Sequence, residues 1–262
     1  MRFALLALLL LASSAAQAAT TEEIFAVYAK GDYEQAARMG EASHTAPGLA
    51  IAARAVLAEE VLRDTPCLTC LERAESLARQ AVAADPHFAL GQVWLAVSLG
   101  YEARIIGAVK ARLKDSPAQS RAALETAMAD DPQNVFAVSA LGGWHIEIVR
   151  GGGAFLARLA YGASEKQALA LFDRAVRLAP GNVAVHYQIA LTLAGFAADK
   201  YRARIAAELK SAVSGTAETA YEKKMQGRAG ELLGLLNGLG SVNPGAHDAF
   251  DSRVRKYQGF VD

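Results

Sequence analysis

Apolar residues recur every three or four positions along most of the chain, with polar residues filling the places between. That spacing gives each helix one apolar stripe, whereas a strand needs strict alternation. The pattern predicts five helix pairs: 22–30 with 33–43, 49–63 with 66–84, 88–114 with 118–129, 134–150 with 164–178, and 183–198 with 203–213. A helix over 217–237 should cap the stack, and 247–257 predicts a last short helix after a loop at 238–245. Thr65 and Pro66 read as an N-cap and the first helical residue. Ser164 with Gln167 has capping-box spacing. Gly151-Gly152-Gly153 reads as a helix terminator or hinge.

The first eighteen residues follow a different rule. Met1-Arg2 precedes an unbroken apolar run from Phe3 to Ala12, and Ala16-Gln17-Ala18 is a small-x-small cleavage site. Ten apolar residues fall short of the ~20 that span a bilayer core. The segment reads as a secretory signal peptide, 1–18, leaving 19–262 as a single helical domain in the periplasm or secreted. No later stretch is long and apolar enough to predict a transmembrane segment.

Composition sharpens the helical reading. Alanine occurs 57 times, and its high helix propensity and small side chain favour closely packed helices. The 27 basic residues balance 27 acidic ones, which argues against a nucleic-acid partner. Two cysteines do not make a disulfide scaffold.

Three prolines stand in matching surroundings: Asp85-Pro86, Asp131-Pro132 and Ala179-Pro180, separated by 46 and 48 residues. At 5, 8 and 12 positions before each lie Ala81, Ala78, Ala74; Ala127, Leu124, Ser120; and Ala175, Phe172, Ala168. At 9 and 10 positions after lie Leu95-Ala96, Leu141-Gly142 and Ile189-Ala190. Small residues let two helices approach, and each proline closes its helix. With the corner Gly31-Asp32-Tyr33-Glu34-Gln35-Ala36, this set resembles the tetratricopeptide repeat over roughly residues 22–213. The resemblance implies an all-α solenoid of about five irregular helical hairpins with a C-terminal capping helix. The 46–48-residue spacing exceeds that family's period of 34, and the surplus falls around 100–117 and 149–164 as lengthened helices or inserted loops. Leu141-Gly142-Gly143-Trp144-His145, with Arg150–Gly153 and Tyr161-Gly162-Ala163, is similar over about 40 residues to two helical-repeat families. These are the periplasmic tetratricopeptide proteins associated with tripartite solute transporters and the regulator of microtubule dynamics family.

Chemistry-bearing residues are sparse. Cys67 and Cys70 form C-x-x-C at the start of a predicted helix, with both sulfurs on one face. A local disulfide is the expected state in an exported chain, with idle thiols and redox or metal work as the alternatives. Closing so short a loop contributes only about 2 kcal/mol in the entropy model. The five histidines are scattered, and no nucleophile elbow, phosphate loop or zinc pattern occurs. The expectation is a non-catalytic protein without cofactor or metal.

The resemblance places first helices on a concave, mostly apolar surface. Tyr101, Phe136, Ser139, Glu147 and Tyr187 fall on that face; Trp144 would floor a pocket rimmed by His145, Glu147 and Arg150. The leading expectation is a scaffold holding a protein or peptide partner in the bacterial envelope. The alternative is a periplasmic binder of an apolar small ligand that cooperates with a solute transporter.

Overall fold

The computed structural model describes residues 19–63, 65, 67–239 and 245–259; the signal-peptide reading, Pro66 and most of the 238–245 loop lie outside them. The described residues form twelve helices and no strand. The helices are α1 (Thr21–Lys30), α2 (Tyr33–Ser43), α3 (Ala46–Leu62), α4 (Leu68–Ala84), α5 (Ala89–Ile106) and α6 (Ala108–Leu113). They continue with α7 (Ser116–Asp130), α8 (Val135–Tyr161), α9 (Glu165–Leu178), α10 (Val183–Ser214), α11 (Ala220–Gly238) and α12 (Ala246–Gln258).

Local chemistry sets most boundaries. Thr20 opens α1 with a complete capping box to Glu23, and Gly31 closes it at φ 95°. Asn134 and Asn182 accept from the N–H groups of Ala137 and Val185, starting α8 and α10. The turns at the three repeated prolines are tied in similar ways. Gln92 Nε2 donates to the Pro86 carbonyl at 3.3 Å, and Arg174 donates to that of Pro132. His186 Nε2–H donates to the Pro180 carbonyl at 2.8 Å.

Several helix boundaries and caps differ from the sequence expectation. The 88–114 helix is two, because Gly107 adopts φ 81°, ψ 159°, which an L side chain rarely tolerates. The 134–150 helix reaches the expected glycine hinge, where Gly153 is non-helical with φ 72°, and a further helical segment, beyond the predicted 134–150, follows it to Tyr161 within α8. The 183–198 and 203–213 segments are one run, bent at Ala197. Helix α3 starts three residues early because Thr45 caps Gly48, while α4 starts late, with Cys67 rather than Thr65 as its N-cap. Finally, Ser164 accepts from Gln167 N–H, but its own N–H goes to His145 Nδ1 rather than to the Gln167 side chain, so the capping box is half made.

Packing follows the small residues. All nine side chains at the three offsets before the prolines are buried, from Ala74 to Ala175. So are Leu95, Ala96, Leu141, Gly142, Ile189 and Ala190 after them. Gly142 shows the tolerance: a Cβ there would sit 2.6 Å from the Phe172 ring on α9. Between α2 and α3 the approach is closer still, since a Cβ on Gly40 would lie 2.3 Å from the Gly48 carbonyl oxygen. Leucines and isoleucines such as Leu71, Leu77, Leu124 and Ile146 fill the spaces beside these contacts. Each contributes about 1.5–3 kcal/mol on full burial.

Helices α1, α3, α5, α8 and α10 adjoin one another in turn as an inner row, with α2, α4, α7 and α9 packed outside them. Helix α11 then touches α1, and α12 touches α3, so the row closes on itself. Arg228 seals the junction by donating to the Val61 and Leu62 carbonyls at 2.9 and 3.2 Å. Arg104 donates to the Gln258 carbonyl at 3.0 Å, and Gln258 Nε2 to that of Leu191 at 3.1 Å. No described helix is long and apolar enough to cross a membrane.

Candidate ligand cavity

Closure of the inner row leaves a cavity of about 620 Å³ at its centre. Its wall is mostly apolar: Leu57 and Ala58 on α3, Val93, Trp94 and Val97 on α5, Phe136 and Ile148 on α8, and Val185 and Ile189 on α10. The volume falls inside the roughly 300–1,000 Å³ range of small-molecule sites.

Six of the sequence-selected residues line it: Tyr101, Phe136, Ser139, Trp144, Glu147 and Arg150. Trp144 is locked in place. Its indole N–H donates to the Pro117 carbonyl at 2.9 Å, and the Tyr161 ring stands edge-on at 6.3 Å. The other two residues do not reach the wall. His145 points away from the cavity, is buried, and accepts the Ser164 N–H at 3.4 Å. Burial, and then the charge of Arg121, lower its pKa, which suits an imidazole that accepts at Nδ1. Tyr187 lies wholly in the core formed by α8 to α12, where burial raises its phenol pKa. Adjacent helical positions diverge by about 100°, so the residue after Trp144 turns toward α9.

Glu147 is a half-buried ionic centre in the cavity wall. Its carboxylate takes Arg104 at 3.2 Å and Arg150 at 2.5 Å. Burial would raise this carboxyl, but the two guanidinium groups outweigh it and hold it below the usual carboxylate range.

Sequence reasoning missed the group at the opposite end. Residues 49–58 on α3 carry a single charge, Arg54, in an otherwise apolar run. Its guanidinium carbon lies 4.6 Å from the Tyr28 ring centre, 5.4 Å from Trp94, 5.5 Å from Phe136 and 5.7 Å from Phe25. Tyr28, Gln188 and Tyr221 also reach the cavity without having been selected. A lone cation at mid-helix between alanines was the available signal.

The rim is built from two glycine-hinged segments, α6 after Gly107 and the end of α8 after Gly153. Val109, Leu113, Phe155 and Leu159 on these segments are between 74% and 83% exposed. Residues 107–114 and 150–162 hold Lys110, Arg112, Lys114, Arg150 and Arg158, and no acidic residue.

Cys67 and Cys70 are joined in a disulfide beside Glu60, whose carboxylate accepts the Cys67 N–H at 2.9 Å. These three residues have metal-ligand spacing, but sulfurs bonded to each other offer no thiolate. No protein-family model and no curated protein matches this chain.

Proposed function

We propose that the protein is an exported, non-catalytic binder of a small apolar-bodied ligand, held in the cavity between its helical hairpins. The observation that carries this reading is the closure of α11 and α12 onto α1 and α3, with a deep, partly open and mostly apolar cavity between the inner helices. A long peptide needs an open groove, so closure favours the small ligand over the peptide scaffold. The recurring burial at the proline offsets supports reading the hairpins as about five irregular tetratricopeptide-like repeats capped at the C-terminus. The apolar N-terminal run and the Cys67–Cys70 disulfide support a place in the periplasm or outside the cell. The resemblance to transporter-associated proteins makes a solute transporter the fitting partner there.

Gly143 supplies the test, because it lines the cavity and a Cβ there meets nothing within 4 Å. Purified protein should bind the neutral fluorescent probe N-phenyl-1-naphthylamine saturably, with energy transfer from Trp94 and Trp144. Gly143→Phe should fill the space and abolish binding while the helical circular dichroism is kept. Undiminished binding in that variant, or none in the native chain, overturns the reading.

A further inference from the structure

We infer that the cavity takes an amphipathic anion, whose head group pairs with Arg54 and whose apolar chain lies along the wall toward Trp144. This rests on the reading that the cavity holds a ligand, and names its chemistry.

Arg54 is half-buried in the cavity wall, on a helix whose neighbouring residues are almost all buried and uncharged. Guanidinium presents five N–H donors in a planar fork. Four aromatic rings stand around it, and their faces compensate charge without accepting in-plane hydrogen bonds. The Tyr28 and Tyr33 phenols both feel its charge. Among the described residues no carboxylate oxygen comes within ion-pair distance of Arg54, whereas Glu147 across the cavity has two arginines. Glu222, whose charge reaches the Tyr28 phenol, has its Oε2 turned to the N–H groups of Glu218 and Thr219 at 2.9 and 3.0 Å. A carboxylate or phosphate head group supplies the missing acceptor, two oxygens against a two-pronged fork. The rest of the wall is apolar, so the remainder of the ligand is a hydrocarbon or similar body.

The rim agrees with this independently. Its two hinged segments carry five basic residues and no acidic one; Arg150 is paired with Glu147 and Lys114 lies 3.9 Å from Glu72 and Glu102, while Lys110, Arg112 and Arg158 make no ion pair among the described residues. A mouth of that sign admits an anion in preference to a cation. The exposed apolar side chains between those charges match the other half of the same molecule.

The test displaces bound N-phenyl-1-naphthylamine with four ten-carbon competitors: decanoate, decyl phosphate, decanamide and decylammonium. In the native protein one or both anions should compete at least about tenfold better than the amide, with the ammonium weakest. Which anion leads identifies the head group as carboxylate or phosphate. Arg54→Met should bring the anions to the level of the amide while the neutral probe still binds; Arg54→Lys should restore part of the preference. Equal competition by anion and amide in the native chain, or a preference surviving Arg54→Met, overturns the inference while leaving the cavity reading intact. A probe that never binds removes both. Should Arg54→Met fail to fold, the native head-group ranking decides alone.

Discussion

Glu102 offers the most direct test of how this core handles charge. It lies fully buried on α5, and neither of its oxygens accepts a hydrogen bond from a described residue. Burial first, and then the facing Glu75, push its carboxyl up to about 8; Lys114, with Nζ at 3.9 Å, opposes them only in part. The folded chain therefore keeps a proton that the unfolded chain releases at about 4.5. Between those values stability falls as pH rises, by about 1.4 kcal/mol per pH unit, and it levels off above the folded pKa. Glu102→Gln removes this dependence without changing the side chain's size. Integrated to pH 7, the variant should gain on the order of 3 kcal/mol relative to its standing below pH 4.5. Urea midpoints of both proteins at pH 5, 6, 7 and 8 measure it. The His186 contribution runs in the same direction but is common to both proteins, so it cancels in the difference. Two midpoint curves that stay parallel across this range would refute the reasoning.

Gly142→Ala and Gly143→Ala should move thermal stability in opposite directions. The first drives a methyl into the Phe172 ring and costs about 1–3 kcal/mol; the second meets open space and gains about 0.5–1 kcal/mol of helix propensity. Calorimetry showing equal shifts counts against the close α8–α9 crossing. His145→Ala should cost about 1 kcal/mol by removing the acceptor of the half-buried Ser164 N–H. It should also remove an acid sensitivity: the lowered pKa of His145 gives stability that is complete above 6.5 and lost as pH falls through the folded value. Thermal melts of both proteins at pH 7 and pH 5 check this. For His186, held charged chiefly by Glu208, the sign reverses: its stability is complete below 6.5 and is lost as pH rises through the folded pKa. His186→Gln should flatten that alkaline decline in melts extended from about pH 6 to about pH 9.

The inner and outer faces of the hairpins were legible because alanine spacing and proline position act locally. Ala168, Phe172 and Ala175 identify a buried face without any knowledge of the partner helix. Helix ends were legible where a side chain caps its own turn, as at Asn182. The hinge at residues 151–153 was legible from its three glycines, but the break at the single Gly107 was not, since a lone glycine can continue or bend a helix and tertiary packing makes that choice. The cavity was half legible. Tyr101 and Phe136 fall on the face that the repeat register selects, but Arg54 sits on α3, a first helix that follows none of the three repeated prolines. Tyr221 reaches the cavity from α11, nearly two hundred residues from α1, and only the closure of the row brings it there.

That closure changes how the chain unfolds. In an open array of repeats each unit leans only on its neighbours, and melting frays inward from whichever end is weaker. Here neither end of the described helix row is free to fray, because α1 and α3 are held by α11 and α12. Unfolding must break a long-range seam before it can spread, which makes the transition more all-or-none than helical local contacts suggest. During synthesis the chain cannot complete its interior until the last helix emerges.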